Sequence, residues 1–211
     1  MLYPQSNPYR QVADLSGFWD LRFDPDDRGM RAGWSAGFEG SRPAAVPASW
    51  NDQFEDGRDY LGCTWYQTRF DLLWGWDVAH QCLHARFNSV NYLAEVWLNG
   101  VRLGQHEGGH LPFDFDIAPH LRSEGNVLVA RVEGRLAPDR VPPGNVPADP
   151  HHMFIDQKEN YPPASFDFFP FCGIQRPVLL TAVPRQAITD LTVVTEIAGR
   201  TGIVRVKLEH S

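Results

Sequence analysis

The chain has 211 residues and a formal net charge of −7. That length supports one well-filled core, or one domain and the beginning of another. The acidic balance excludes a basic footprint for nucleic acid or anionic membrane, and no apolar run reaches the roughly 20 residues of a membrane-crossing helix. The start, MLYPQSNPYRQ, lacks the basic and apolar regions of a signal peptide. Cys63, Cys82 and Cys172 are odd in number and far apart, so no disulfide framework is implied. A cytoplasmic protein is expected. Seven Trp and 13 Phe, with 18 Gly and 17 Pro, point to short strands joined by turns.

In chain order, GFWDLRF (17–23) places Trp19, Leu21 and Phe23 on one face, as the two-residue period of a strand requires. Residues 24–64 read as loop-rich around PASWNDQF. WYQTRFDL (65–72) aligns Tyr66, Thr68 and Phe70, and LHARFNSV (83–90) aligns Leu83, Ala85 and Phe87. In YLAEVWLNGVRLG (92–104), Tyr92, Ala94, Val96 and Leu98 share a face before Asn99-Gly100. That dipeptide tolerates the positive φ of a type I′ turn and signals a hairpin. APHLRSEGN (118–126) holds at most one helical turn. NVLVARVE (126–133) and PVLLTAV (177–183) read as strands buried on both faces. Residues 134–170 are rich in proline and have little periodicity, which marks a long, functional or mobile loop. AITDLTVVTE (187–196) and TGIVRVKLE (201–209) read as two further strands, the second with Val204, Val206 and Leu208 inward. Two strands cannot make a stable domain alone. Disorder after about residue 186, or pairing with a neighbouring copy, is therefore expected.

Few residues carry a chemical signature. HEGGH (106–110) matches the H-E-x-x-H zinc pattern literally, but that pattern needs a helix, and Gly108-Gly109 disfavours one. His151-His152 lacks the third and fourth ligands of a metal site. Glycoside hydrolysis needs two carboxylates roughly 5 to 9 Å apart. Glu107, Asp114, Asp116 and Asp167 are available, but no pairing is legible, and Asp114 and Asp116 fall on one solvent face of a strand. Trp34, Trp50, Trp65, Trp74, Trp76 and Trp97 could stack on a pyranose, though packing is the expected role; Trp74-Gly75-Trp76 lies in a loop and is the least certain. No metal or cofactor is expected. Asp167 stands among Phe166, Phe168, Phe169 and Phe171, where a charge is costly unless satisfied.

SGFWDLRFD, VPASWNDQF, WYQTRF, VNYLAEVWLNG, GQHEGGHLPFDFDI, VPPGN, FDFFPFCGIQRPVLL and ITDLTVVT occur in order. Together they resemble the N-terminal portion of the β-galactosidase/β-glucuronidase family of glycoside hydrolases (glycoside hydrolase family 2), the β-glucuronidase branch above all. The resemblance covers residues 1 to 209. It implies an all-β chain: a jelly-roll β-sandwich, galactose-binding-like, over residues 1–184. The first strands of a truncated immunoglobulin-like sandwich would follow over 185–211. The catalytic (β/α)8 barrel, with both catalytic glutamates, would be absent, and the chain alone would be inactive. The resemblance further implies that Asp167 reaches from this domain to hydrogen-bond sugar hydroxyls in the intact enzyme. Phe168, Phe169, Gly173, Ile174 and Arg176 would be structural. Phe171-Cys172 replaces the commoner Tyr-Ala. A β-glycoside substrate, the missing barrel and a homo-oligomer are the implied partners. The bland alternative for Asp167 is a carboxylate accepting backbone N–H bonds at a turn. Two other readings of the whole chain are a stand-alone carbohydrate-binding module with tryptophan platforms and a purely structural assembly domain.

Overall fold

The computed structural model describes residues 3–136, 138–144 and 169–211. The strands are β1 (Gln11–Asp14), β2 (Gly17–Asp24), β3 (Arg42–Val46), β4 (Cys63–Phe70), β5 (Gln81–Phe87), β6 (Val90–Asn91) and β7 (Leu93–Leu98). They continue with β8 (Val101–Glu107), β9 (Phe113–Asp116), β10 (Asn126–Glu133), β11 (Gly173–Ile174), β12 (Val178–Pro184), β13 (Ile188–Ala198) and β14 (Thr201–His210). A four-stranded sheet, β1-β12-β5-β9, faces a six-stranded sheet, β3-β2-β4-β10-β7-β8, and β6 pairs with β11 in a two-residue ladder. This is the expected β-sandwich.

The two-residue period fills the core. Trp19 and Leu21 of β2, Tyr66 of β4, and Ala94, Val96 and Leu98 of β7 meet Leu83, Ala85 and Phe87 of β5 and Val178 and Leu180 of β12. The Asn99-Gly100 turn has φ of 53° and 83°, and Leu98 pairs directly with Val101. Between β9 and β10, the single helical turn is Ala118–His120.

β10 is buried on both faces, as its composition implies. Leu128, Ala130 and Val132 enter the inter-sheet core. Val127 and Val129 face outward into a second cluster with Phe38, Trp65 and Trp97. The connection between β2 and β3 folds back over this outer face. There Trp65 stacks on Trp97 at 5.4 Å, and Trp34 meets Trp65 edge-on at 5.9 Å. Two polar side chains hold the flap. The Gln67 amide accepts from Phe38 N at 2.9 Å and donates to Phe38 O at 2.8 Å. The buried Asp24 carboxylate accepts from Arg28 N, Gly29 N and Trp65 Nε1 at 2.8, 2.8 and 2.9 Å. Gly29 is required there, because a Cβ would lie 2.4 Å from the Trp65 indole.

Residues 24–64 are more ordered than their composition suggests. They include β3, and a helical turn at Trp50–Gln53. β3 escapes the alternation test because it is a short edge strand, the one place where a strand tolerates Pro43. Its free edge is covered by the Gln53 amide, which accepts from Ala45 N at 2.6 Å and donates to Ala45 O at 3.2 Å.

The disorder expected beyond about residue 186 is not found. β13 and β14 pair with each other through an antiparallel ladder closed by Gly199-Arg200, with one register shift between Ile188 and Asp190. This ladder pairs the inward-facing backbone groups of each strand and leaves both outer edges open. Leu191, Val193, Val206 and Leu208 line one face and are 52–56% exposed.

The Asp24 cluster yields a stability test. Asp24→Ala leaves three donors unpaired under the flap, so urea unfolding is expected to show a loss of about 3 kcal/mol or more. Asp26→Ala, at an exposed ion pair with Arg28, is expected to change stability by less than about 1 kcal/mol.

Candidate functional site

Ser49 caps the Trp50–Gln53 turn, its Oγ accepting from Asn51 N at 3.1 Å. The cap turns Trp50 inward, where the indole N–H donates to Tyr60 O at 2.8 Å. It also buries Asn51, which joins two distant segments. Asn51 Nδ2 donates to the carbonyls of Gly57, Arg58 and Tyr60 at 3.0, 3.0 and 3.1 Å. Asn51 Oδ1 accepts from Cys172 N at 2.9 Å.

The same point receives the chain returning from the long loop. Cys172 O accepts from Trp50 N at 3.3 Å and from Gln175 Nε2 at 2.9 Å. Asn91 Nδ2 donates to Phe171 O at 2.9 Å. Gly173, at φ 110°, passes so close to Tyr66 that a Cβ would lie 2.7 Å from the phenol oxygen. Gly134, just past β10, packs on the Cys172 side chain. Burial pushes the Cys172 thiol well above its ordinary pKa, and pushes the Cys63 thiol up to about 12 despite Arg131 nearby. Both are inert packing groups at neutral pH. All three cysteines are free.

Above this anchor lies an open cleft of about 260 Å³, lined by Asn51, Asp52, Arg58, Phe169 and Phe171. The two phenylalanine rings sit 4.9 Å apart at an angle of 50°. Asp167 precedes Phe169 by two positions and lies outside the described residues, as do His151 and His152.

The remaining flagged residues are engaged elsewhere. HEGGH is the end of β8 followed by a turn with Gly108 at φ 126° and His110 at φ 71°, not a helix. The His106 ring stacks on Phe113 at 4.3 Å, and burial lowers its pKa. Glu107 lies 3.7 Å from Arg140. Among the described residues, no group of three or more metal-ligating side chains occurs. Asp114 and Asp116 are exposed on β9, and Asp114 pairs with His84 Nδ1 at 3.0 Å, not with a second carboxylate. Trp50, Trp65, Trp76 and Trp97 are buried, and Trp34 is half-covered by the Arg22 guanidinium at 4.0 Å. The Trp74-Gly75-Trp76 pair divides: Trp76 belongs to the core, while Trp74 is wholly exposed.

Sequence reading missed Asn51 and Arg58. A lone asparagine two residues after a serine signals only a turn. Its bond to Cys172 crosses 121 positions, and no local pattern announces such a contact.

The sandwich and its anchored return can be set beside known proteins. The family model described as "Glycosyl hydrolases family 2, sugar binding domain" matches residues 12–184. The chain belongs to glycosyl hydrolase family 2. It is 34% identical to the β-glucuronidase of Sus scrofa over 229 residues, covering 99% of this chain and 34% of that protein. For the β-glucuronidase of Paenibacillus borealis the identity is 34%, with coverage of 100% and 36%. Among solved structures, Ruminococcus gnavus β-glucuronidase superimposes with a TM-score of 0.87 at 30% identity, covering 100% of this chain and 35% of that one. An uncultured Clostridium sp. β-glucuronidase gives 0.85 at 32%, with coverage of 100% and 35%. The chain therefore spans about a third of the length of the curated relatives it matches.

The His84–Asp114 pair makes a pH prediction. The close contact with the Asp114 carboxylate raises the His84 pKa above 6.5 against the opposing effect of burial, with Asp116 adding to the rise. The same contact holds the Asp114 carboxyl below 3.8, helped by the charges of His84 and Arg86. Stabilisation by the raised histidine is complete below pH 6.5 and is lost as pH climbs through its folded pKa. Stabilisation by the lowered carboxyl is lost as pH falls through its own folded pKa. Asp114→Asn is therefore expected to cost up to about 1 kcal/mol near pH 5.5 and markedly less near pH 8.5, since the pair is partly exposed. Denaturant titration at the two pH values checks this; an equal loss at both would contradict the coupling.

Proposed function

We propose that the chain is the non-catalytic N-terminal domain of a β-glucuronidase-like glycoside hydrolase, acting as scaffold and as part of the rim of the active site. The observation that carries this reading is the anchored return at Phe169–Ile174. It holds the chain just past Asp167 against the sandwich, beside an open cleft. Asp167 is the residue assigned to hydrogen-bond sugar hydroxyls, its ionised carboxylate acting only as acceptor.

The chemistry itself belongs to a barrel carrying both catalytic glutamates, which the family resemblance puts in the remaining two thirds of such an enzyme. The weighed carboxylates support that division. Glu107 is near Arg140, and Asp114 is tied to His84. Arg140 also contacts Glu133, so Glu107 belongs to an ion-pair network. The substrate in the intact enzyme is a β-glycoside, and a homo-oligomer is part of the same reading. The three free cysteines suit a reducing, cytoplasmic setting.

A second reading, a carbohydrate-binding module, rests on Trp74, whose ring is fully exposed. A single ring is a weak platform, and Trp76, which is buried, does not add a second.

The purified 211-residue chain, with its intact mass confirmed, is expected to release no 4-nitrophenol from the β-glucuronide or the β-galactoside above buffer background. Robust turnover that titrates with the protein would overturn the non-catalytic assignment.

A further inference from the structure

We propose that the β13–β14 hairpin is a self-association surface, its apolar face packing against the same face of a second copy of this chain. The function proposed above names no surface for association, and this inference does not rest on it.

The hairpin is two-sided. Its register sets Leu191 opposite Leu208, Val193 opposite Val206, Thr195 opposite Val204 and Ile197 opposite Gly202. The six aliphatic side chains of that face are 52–84% exposed. Among the described residues, none of them joins either core cluster of the sandwich. Thr195 and Gly202 complete the face, so it carries no charge. The reverse face carries the ion pairs Glu196–Arg205 and Lys207–Glu209. Alternation of this kind marks an antiparallel pair with one side covered.

Three arguments select a second copy as the cover. The first is area. A fully exposed aliphatic side chain offers roughly 100 Å² of apolar surface, so six at these exposures offer on the order of 400 Å² per copy. That equals the largest apolar patch of a typical monomer, which is often functional. Two such faces, with the backbone between their side chains, approach the roughly 1,000 Å² of a small specific interface. The second is charge. The chain carries a net charge of −7, and contact through an uncharged face brings no like charges together. Pairing two β13 edges would set Asp190 and Glu196 of one copy beside those of the other, because β13 has no basic residue. The third is geometry. A two-stranded ribbon is marginal by itself. Two ribbons stacked about 10 Å apart make a four-stranded sandwich with an interior. Such a contact uses the same patch on both copies and therefore closes at a dimer.

The test is sedimentation velocity of the 211-residue chain over about 2–200 µM, which brackets micromolar affinity. A reversible dimer is expected, with a dissociation constant on the order of 10 µM, as suits a small interface. Amide ¹⁵N spectra are expected to shift with concentration at residues 188–210 and to stay constant in the sandwich. Val206→Lys, which puts a charge between Val204 and Leu208, is expected to raise the dissociation constant by about 100-fold or more. Val206→Thr keeps the β-branched shape and is expected to raise it about ten-fold, which separates loss of contact from loss of the hairpin. Lys207→Thr, on the reverse face, is expected to change it by less than about two-fold. A monomer throughout the range, a dimer that survives Val206→Lys, undiminished association in Val206→Thr, equal loss in Lys207→Thr, or growth past the dimer through strand edges would each overturn the proposal. The non-catalytic assignment stands or falls separately, on the turnover assay.

Discussion

The contact between Gly134 and Cys172 closes the base of the longest excursion in the chain. A Cβ at position 134 would lie 2.4 Å from the Cys172 sulfur and 3.1 Å from the Trp50 ring, so glycine alone lets the two ends of the excursion meet. Loop-closure entropy depends on where the ends are held and only slowly on the length between them. With both ends fixed to Trp50 and Asn51, the sandwich is complete whatever path the intervening residues take. The cleft inherits its geometry from the same point. Its two walls, the 57–60 loop and the 169–172 return, share no backbone ladder; the Asn51 side chain joins them, and Trp50 beside it bonds to Tyr60 O and Cys172 O. A buried amide with its donors and acceptor all satisfied stabilises modestly, but leaving any of those partners unpaired is expensive. That asymmetry makes Asn51 a strong constraint on geometry.

The sandwich needs to be stiff for this arrangement to serve a rim. Two layers supply the stiffness. The inter-sheet core holds large side chains such as Trp19, Trp50 and Tyr66. A second layer, Trp34, Phe38, Trp65 and Trp97, covers the outer face of the central strands. The outer layer is kept in place by Gln67 and Asp24, each bonded to backbone N–H groups of the flap. A domain belonging to glycosyl hydrolase family 2 thus carries, in a third of the relatives' length, a doubly layered body that presents a returning strand.

Much of this was legible from residue patterns because it depends on nearest neighbours. The two-residue period placed β2, β4, β5 and β7, an unbroken apolar run placed β10, and Asn99-Gly100 announced its turn through a backbone requirement that few other dipeptides meet. Strand β3 was hidden because an edge strand with a proline lacks the alternation of a half-buried one. The order of the β13–β14 hairpin was misjudged because its ladder closes locally, although its apolar face stays exposed. Trp74 and Trp76 look alike in sequence, yet one is fully exposed and the other buried, since a tight turn at Gly75 sends them apart. The polar joints were out of reach. Asn51 with Cys172 and Gln67 with Phe38 span 121 and 29 positions, and single side-chain bonds at that range have no periodic signature.

Amide hydrogen exchange on Asn51→Ala tests the shared anchor most directly. Protection is expected to fall together in residues 57–60 and 171–174, while β10 exchanges as in the parent chain. Loss confined to one of those segments, or no loss in either, would show that Asn51 does not couple the two walls of the cleft.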